Sequence, residues 1–140
     1  MSYQEAMQAA GAEVHEFNEF GSYQGNWWAK VTYKGQTGWV TGSYGSCSGC
    51  DAFQGEFGYE SHTCNGEEYY DPFYGDDKFR DSCETCQSLK ERFIKFGEGY
   101  LEDIVSQEKA EAKASENLEW DMDAQEMVDF LRSHSIGAGV

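Results

Sequence analysis

Two Cys-x-x-Cys pairs, Cys47-Ser48-Gly49-Cys50 and Cys83-Glu84-Thr85-Cys86, restrict what this chain can fold into. Each such turn aims two sulfurs at one point, and two turns complete a tetrahedral thiolate site. A fold that uses both must close residues 51–82 into a loop. The local contexts suit the role. Gly45, Ser46 and Gly49 allow a tight knuckle around the first pair. The second pair opens a helical pattern, where the helix N-terminus favours the thiolate.

The predicted ligands are Cys47, Cys50, Cys83 and Cys86, with Cys64 and His62 of His62-Thr63-Cys64 as substitutes. The predicted cofactor is a structural zinc ion. A knuckle followed by two ligands at a helix start resembles the treble-clef arrangement of zinc fingers. The spacing departs from it, because compact zinc motifs separate their pairs by about 15–20 residues. Two other readings compete. Reduced cysteines also pack as small hydrophobes. Thiol–disulfide chemistry prefers a Cys-x-x-Cys in a βαβ setting, which neither pair has.

Five cysteines are an odd count, and residues 1–11 show no basic segment followed by an apolar one. Both features point to a reducing, cytoplasmic setting, where cysteines are ligands more often than disulfides. No apolar run approaches the ~20 residues of a membrane span.

The 140 residues carry 26 acids against 10 bases, a formal charge of −16. That balance excludes nucleic acid as a direct partner, since phosphate binders need a basic footprint. It equally disfavours an anionic membrane. A well-solvated surface, a binder of basic surfaces or a mimic of nucleic-acid charge remain. Hydrophobic residues are 39% and aromatics 16% of the chain, so a folded core built largely of rings is expected.

The local patterns give an α+β class: an N-terminal antiparallel hairpin or small sheet with knuckle-like cysteine pairs, then about three helices. One domain spans 1–140, with a β-rich part at 1–82, a helical part at 83–135 and a tail at 136–140. Residues 2–10 read as a short helix ended by Gly11, and 15–20 as a strand. Trp27, Ala29, Val31 and Tyr33 alternate with Trp28, Lys30 and Thr32, and the run resumes at 37–41. This is a hairpin with Gly35 at positive φ. Residues 51–82 read as irregular chain with short strands near 53–59 and 69–74. A helix follows Asp81, with Gly97 and Gly99 interrupting it. A second helix begins at Tyr100 and runs into a solvent-exposed stretch at 107–114, and a third follows Asp121.

No catalytic motif stands out. The three histidines are scattered, and no phosphate loop, H-E-x-x-H or G-x-S-x-G occurs. Catalytic residues are therefore predicted as none, and a catalytic zinc would need an open position that four cysteines close. A near-repeat, Gly21-Ser22-Tyr23 and Gly42-Ser43-Tyr44, brackets the hairpin. With Tyr23, Tyr44, Trp27, Trp28 and Trp39 it offers a candidate pocket for a nucleotide-like small molecule. Ordinary glycine turns explain the repeat equally well.

Residues 21–53, GSYQGNWWAKVTYKGQTGWVTGSYGSCSGCDAF, resemble a segment of small phage and bacterial proteins. Those carry a Gly-Ser-Tyr-x-Gly start, a hairpin and a Tyr-Gly-Ser-Cys-x-x-Cys-Asp exit. The resemblance carries over no catalytic residue. It implies a phage accessory protein that acts on host machinery, such as a CRISPR, restriction or other defence complex or RNA polymerase.

The leading functional expectation is a non-enzymatic acidic protein that occupies a basic site on a host protein. Its predicted contact residues are Glu102, Asp103, Glu108, Glu111, Glu116, Glu119, Asp121, Asp123, Glu126 and Asp129. Carboxylates held on helices can fill a channel lined with Lys and Arg.

Overall fold

The tryptophan-rich hairpin lies at the centre of the architecture. In the computed structural model, which describes residues 2–21, 24–45, 51–58, 61–73, 78–116 and 123–135, β2 (Gly25–Tyr33) pairs antiparallel with β3 (Gln36–Tyr44). Tyr33 faces Gln36 across a two-residue turn. Lys34 and Gly35 both take positive φ, 51° and 81°. That is the primed turn whose twist matches paired strands. β1 (Glu13–Gly21) adds on the other side of β2, giving the order β1-β2-β3. Gly21 pairs with Gly25, and Gly25 with Tyr44, so the described ends of the near-repeat meet at the open end of the sheet.

Both faces of the central strand are covered. Trp27, Ala29 and Val31 pack with Val40 against α1 (Tyr3–Ala9), α2 (Ala52–Phe57) and α3 (Glu84–Leu101). Trp28 and Trp39 pack on the opposite face against α4 (Gln107–Ser115) and α5 (Ala124–Ser133). Consecutive strand side chains point to opposite faces, so Trp27 and Trp28 each anchor one core. The layers are helix, sheet, helix. Trp28 Nε1 donates to the Met127 sulfur at 3.3 Å, and Trp39 Nε1 to Gln107 Oε1 at 2.6 Å. These bonds satisfy the one polar atom on each of these buried rings.

Four local expectations are corrected. Residues 53–57, expected as a strand, belong to α2. Asp51 caps that helix by accepting from the Gln54 N–H, and it also accepts from Tyr3 Oη at 2.7 Å and the Gly45 N–H at 3.0 Å. Burial and this bond to Asp51 push the Tyr3 hydroxyl pKa well up. Gly97 and Gly99 do not interrupt α3. Nor does one helix continue from Tyr100 into residues 107–114, because Val105 leaves α3 to bridge the β3 edge, exchanging two 2.9 Å backbone bonds with Trp39. Finally, α4 is not wholly exposed, since Ala110 and Ala114 lie one turn apart and are buried against α5.

Residues 62–70, within the stretch read as irregular, form a second, two-stranded sheet of β4 (His62–Cys64) and β5 (Glu67–Tyr70). No helix among the described residues is long and apolar enough to cross a membrane.

The two α3 glycines have different reasons to be there. A Cβ on Gly97 would lie 2.1 Å from the Ala6 carbonyl oxygen, so α1 and α3 touch through it. A Cβ on Gly99 would meet nothing within 4 Å. Gly97→Ala should therefore lower stability by about 1–3 kcal/mol, despite better helix propensity. Gly99→Ala should raise it by up to about 1 kcal/mol. Urea midpoints of the two variants check both signs.

Candidate metal centre

The β4–β5 hairpin turns at Asn65-Gly66, with φ values of 51° and 87°. Two positive φ values again mark a primed turn, for which Asn-Gly is the favoured dipeptide. The turn directly follows Cys64, so its geometry aims that cysteine. His62 and Cys64 are two apart on β4 and share a face. The other half comes from the start of α3. Cys83 is the helix N-cap, its sulfur accepting from the Cys86 N–H at 3.4 Å. Cys86 lies on the first turn and is fully buried.

Hairpin and helix start place four ligand atoms, one each from His62, Cys64, Cys83 and Cys86, within 4.8 Å of one another. The Cys64 and Cys86 sulfurs are 3.7 Å apart. His62 Nε2 lies 3.3 Å from the Cys83 sulfur and 3.6 Å from that of Cys86. A tetrahedron with Zn–S near 2.3 Å and Zn–N near 2.0 Å has S–S edges of about 3.8 Å and S–N edges of about 3.5 Å. These three edges match that figure, so the donor set suits a tetrahedral metal ion, for which zinc is the natural candidate. Cys64, Cys83 and Cys86 are free thiols.

Arg80 ties the two halves. Its Nη1 donates to the Cys64 carbonyl at 3.4 Å, and its Nη2 to Glu67 Oε2 at 2.7 Å. Its own carbonyl accepts from the Cys83 N–H at 3.2 Å and from Gln87 Nε2 at 3.0 Å. Three thiolates around a divalent ion would carry a net charge of −1, and the Arg80 guanidinium, bonded to the Cys64 carbonyl, lies close enough to offset it. Such outer partners orient ligands and tune affinity.

The two helix-start cysteines differ electrostatically. The Cys86 N–H bond holds the Cys83 thiol well below the usual thiol range. Burial pushes the Cys86 thiol up.

Of the sequence-predicted ligands, Cys83 and Cys86 are brought together, joined by the two substitutes His62 and Cys64. Cys47 and Cys50 lie outside the described residues, as does Tyr23 of the candidate pocket. Of the other pocket residues, Trp28 lines a cavity of about 90 Å³ with Asn26, Thr41 and Lys113. Trp27, Trp28 and Trp39 are buried with their rings packed in the two cores. Tyr44 is partly buried, and its hydroxyl donates to the Phe20 carbonyl at 3.0 Å.

Among the predicted contact acids, Glu102, Asp103, Glu108, Glu116, Glu126 and Asp129 are exposed. Glu111 is half-buried, and Arg132 and Gln107, in that order, hold its carboxyl below the usual range. Asp123 is half-buried ahead of α5, while Glu119 and Asp121 lie outside the described residues.

No protein-family model, no curated protein and no solved structure matches the chain.

Alkylation should separate the cysteines. In metal-free protein that keeps its fold, iodoacetamide at neutral pH should modify Cys83 before Cys86, because a lowered pKa favours its thiolate where burial keeps Cys86 protonated. Zinc should slow modification of all three described cysteines. Mass spectrometry of the peptides reads both results, and equal rates with and without zinc would contradict the ligand assignment.

Proposed function

We propose that this protein is a non-enzymatic binding domain. A structural zinc ion at His62, Cys64, Cys83 and Cys86 holds its middle segment, and its acidic surface docks on a basic site of another protein. The observation that carries the reading is the four-residue ligand set. Four protein donors fill a tetrahedral zinc ion and leave no position for a substrate, which is the pattern of structural sites. The exposed acids near and along α4 and α5 supply the docking surface, and a charge of −16 supports association with a cationic partner. The resemblance of residues 21–53 adds the origin: a phage accessory protein that inhibits a host defence complex or nucleic-acid enzyme by imitating nucleic-acid charge.

Purified protein should contain about one zinc per chain. Cys64→Ser should lose the metal and much of the thermal stability, because metal binding and folding are coupled in such sites. Cys47→Ser should keep both. Retention of zinc by Cys64→Ser together with its loss from Cys47→Ser would replace the ligand set. A metal-free wild-type protein with full stability would remove it.

The docking surface has its own test. Host proteins retained on the immobilised domain should elute as salt rises, since exposed charges are screened beyond about 8–10 Å at physiological ionic strength. Paired reversal, Glu108→Lys with Glu126→Lys, should mainly slow association and leave the fold intact. Retention unchanged in high salt and in the reversed variant would assign the charge to solubility alone.

A further inference from the structure

Glu67-Glu68-Tyr69-Tyr70 contains two glutamate–tyrosine pairs, and the molecule itself uses Glu67 with Tyr70. The Arg80 guanidinium lies 3.9 Å from the Tyr70 ring centroid while donating to Glu67 at 2.7 Å. One arginine thus takes a ring face and a carboxylate together. Glu68 and Tyr69 present the same two groups outward. Tyr69 is 83% exposed, the sole large hydrophobic side chain so exposed among the described residues.

A β-bulge falls at Glu68 and Tyr69. His62 pairs with Tyr70 and Cys64 with Glu67, so β5 spends one more residue than β4 over the same span. Tyr69 takes φ 59° within that bulge. Neighbouring strand residues ordinarily face opposite ways, and bulges re-aim side chains. Here both residues line one cleft of about 300 Å³ with Ser61, His62 and Thr63. A left-handed tyrosine is an uncommon conformation, and an exposed ring returns no packing in exchange.

We propose that this cleft receives an arginine side chain of a partner protein, its guanidinium over the Tyr69 ring and paired with the Glu68 carboxylate. The inference rests on the reading of the protein as a binder of basic surfaces and gives that reading a contact point. Arginine fits better than lysine because its planar fork stacks on a ring and pairs with a carboxylate at once, as Arg80 does on the other pair. His62 is both a wall of the cleft and a metal ligand, so metal loading fixes the cleft.

The test uses the zinc-loaded full chain and a hexapeptide of alternating Arg and Gly, titrated at physiological ionic strength and followed by NMR. Resonances of Thr63, Glu68 and Tyr69 should shift. Tyr69→Ala should weaken binding about tenfold, the size of a well-formed cation–π contact, and Tyr69→Phe should retain it. Glu68→Gln should weaken binding, and so should zinc removal or replacement of Arg by Lys in the peptide. The exposed ring makes unfolding by Tyr69→Ala unexpected, and Tyr69→Asn, which tolerates left-handed φ, provides a second folded variant. Binding that survives Tyr69→Ala and Tyr69→Asn but falls on Glu108→Lys with Glu126→Lys would overturn the cleft and leave the acidic-surface reading standing. Absence of binding to the wild-type protein, in a preparation that captures host proteins in a salt-dependent way, would likewise overturn the cleft alone.

Discussion

A hairpin of three- and four-residue strands is not stable in water by itself. β4 and β5 are that short, and the chain around them has few aliphatic side chains to bury. The hairpin meets the start of α3 at the four-residue cluster, two candidate ligands from each side, and through the bonds of Arg80. Zinc at such a junction contributes on the order of 10 kcal/mol or more of apparent binding free energy at neutral pH. That is comparable to the entire net stability of a typical domain. The placement of β4 and β5, and with it the cleft at Tyr69, depends on this junction.

The rest of the molecule rests on rings. Tyr3, Trp27, Phe53, Phe57, Phe73 and Phe93 meet on one face of the sheet, with many pairs in edge-on or tilted contact. Large flat side chains bury the area that the scarce aliphatics cannot. The second face is smaller and adds sulfur and amide contacts to its tryptophans. The two faces carry different tasks. The α1–α3 side supports the metal junction through the base of α3, while the α4–α5 side presents the exposed carboxylates.

The sheet was legible in the sequence because its signals are local. Period-two alternation and a Lys-Gly turn define β2 and β3 without reference to any other part of the chain. The helix start at Cys83 was equally local. The length of α3 was not, because Gly97 reads as a breaker until the Ala6 carbonyl is placed against it. α2 was missed because only its Asp51 cap is a local signal, while the bond that fixes Asp51 comes from distant Tyr3. The ligand set was half legible. Two Cys-x-x-Cys motifs invite pairing with each other, yet the described cluster joins one of them to a hairpin. Asn65-Gly66, directly after Cys64, is the strongest short hairpin signal in the chain. Read together with His62 and Cys64, it identifies a ligand-bearing turn.

The central claim is that one imidazole and three thiolates enclose a zinc ion between β4 and α3. X-ray absorption at the zinc edge of the metal-loaded protein tests it most directly. The account predicts a first shell of three sulfurs near 2.3 Å and one nitrogen near 2.0 Å. A shell of four sulfurs would instead place Cys47 or Cys50, or both, at the metal and would contradict the assignment of His62.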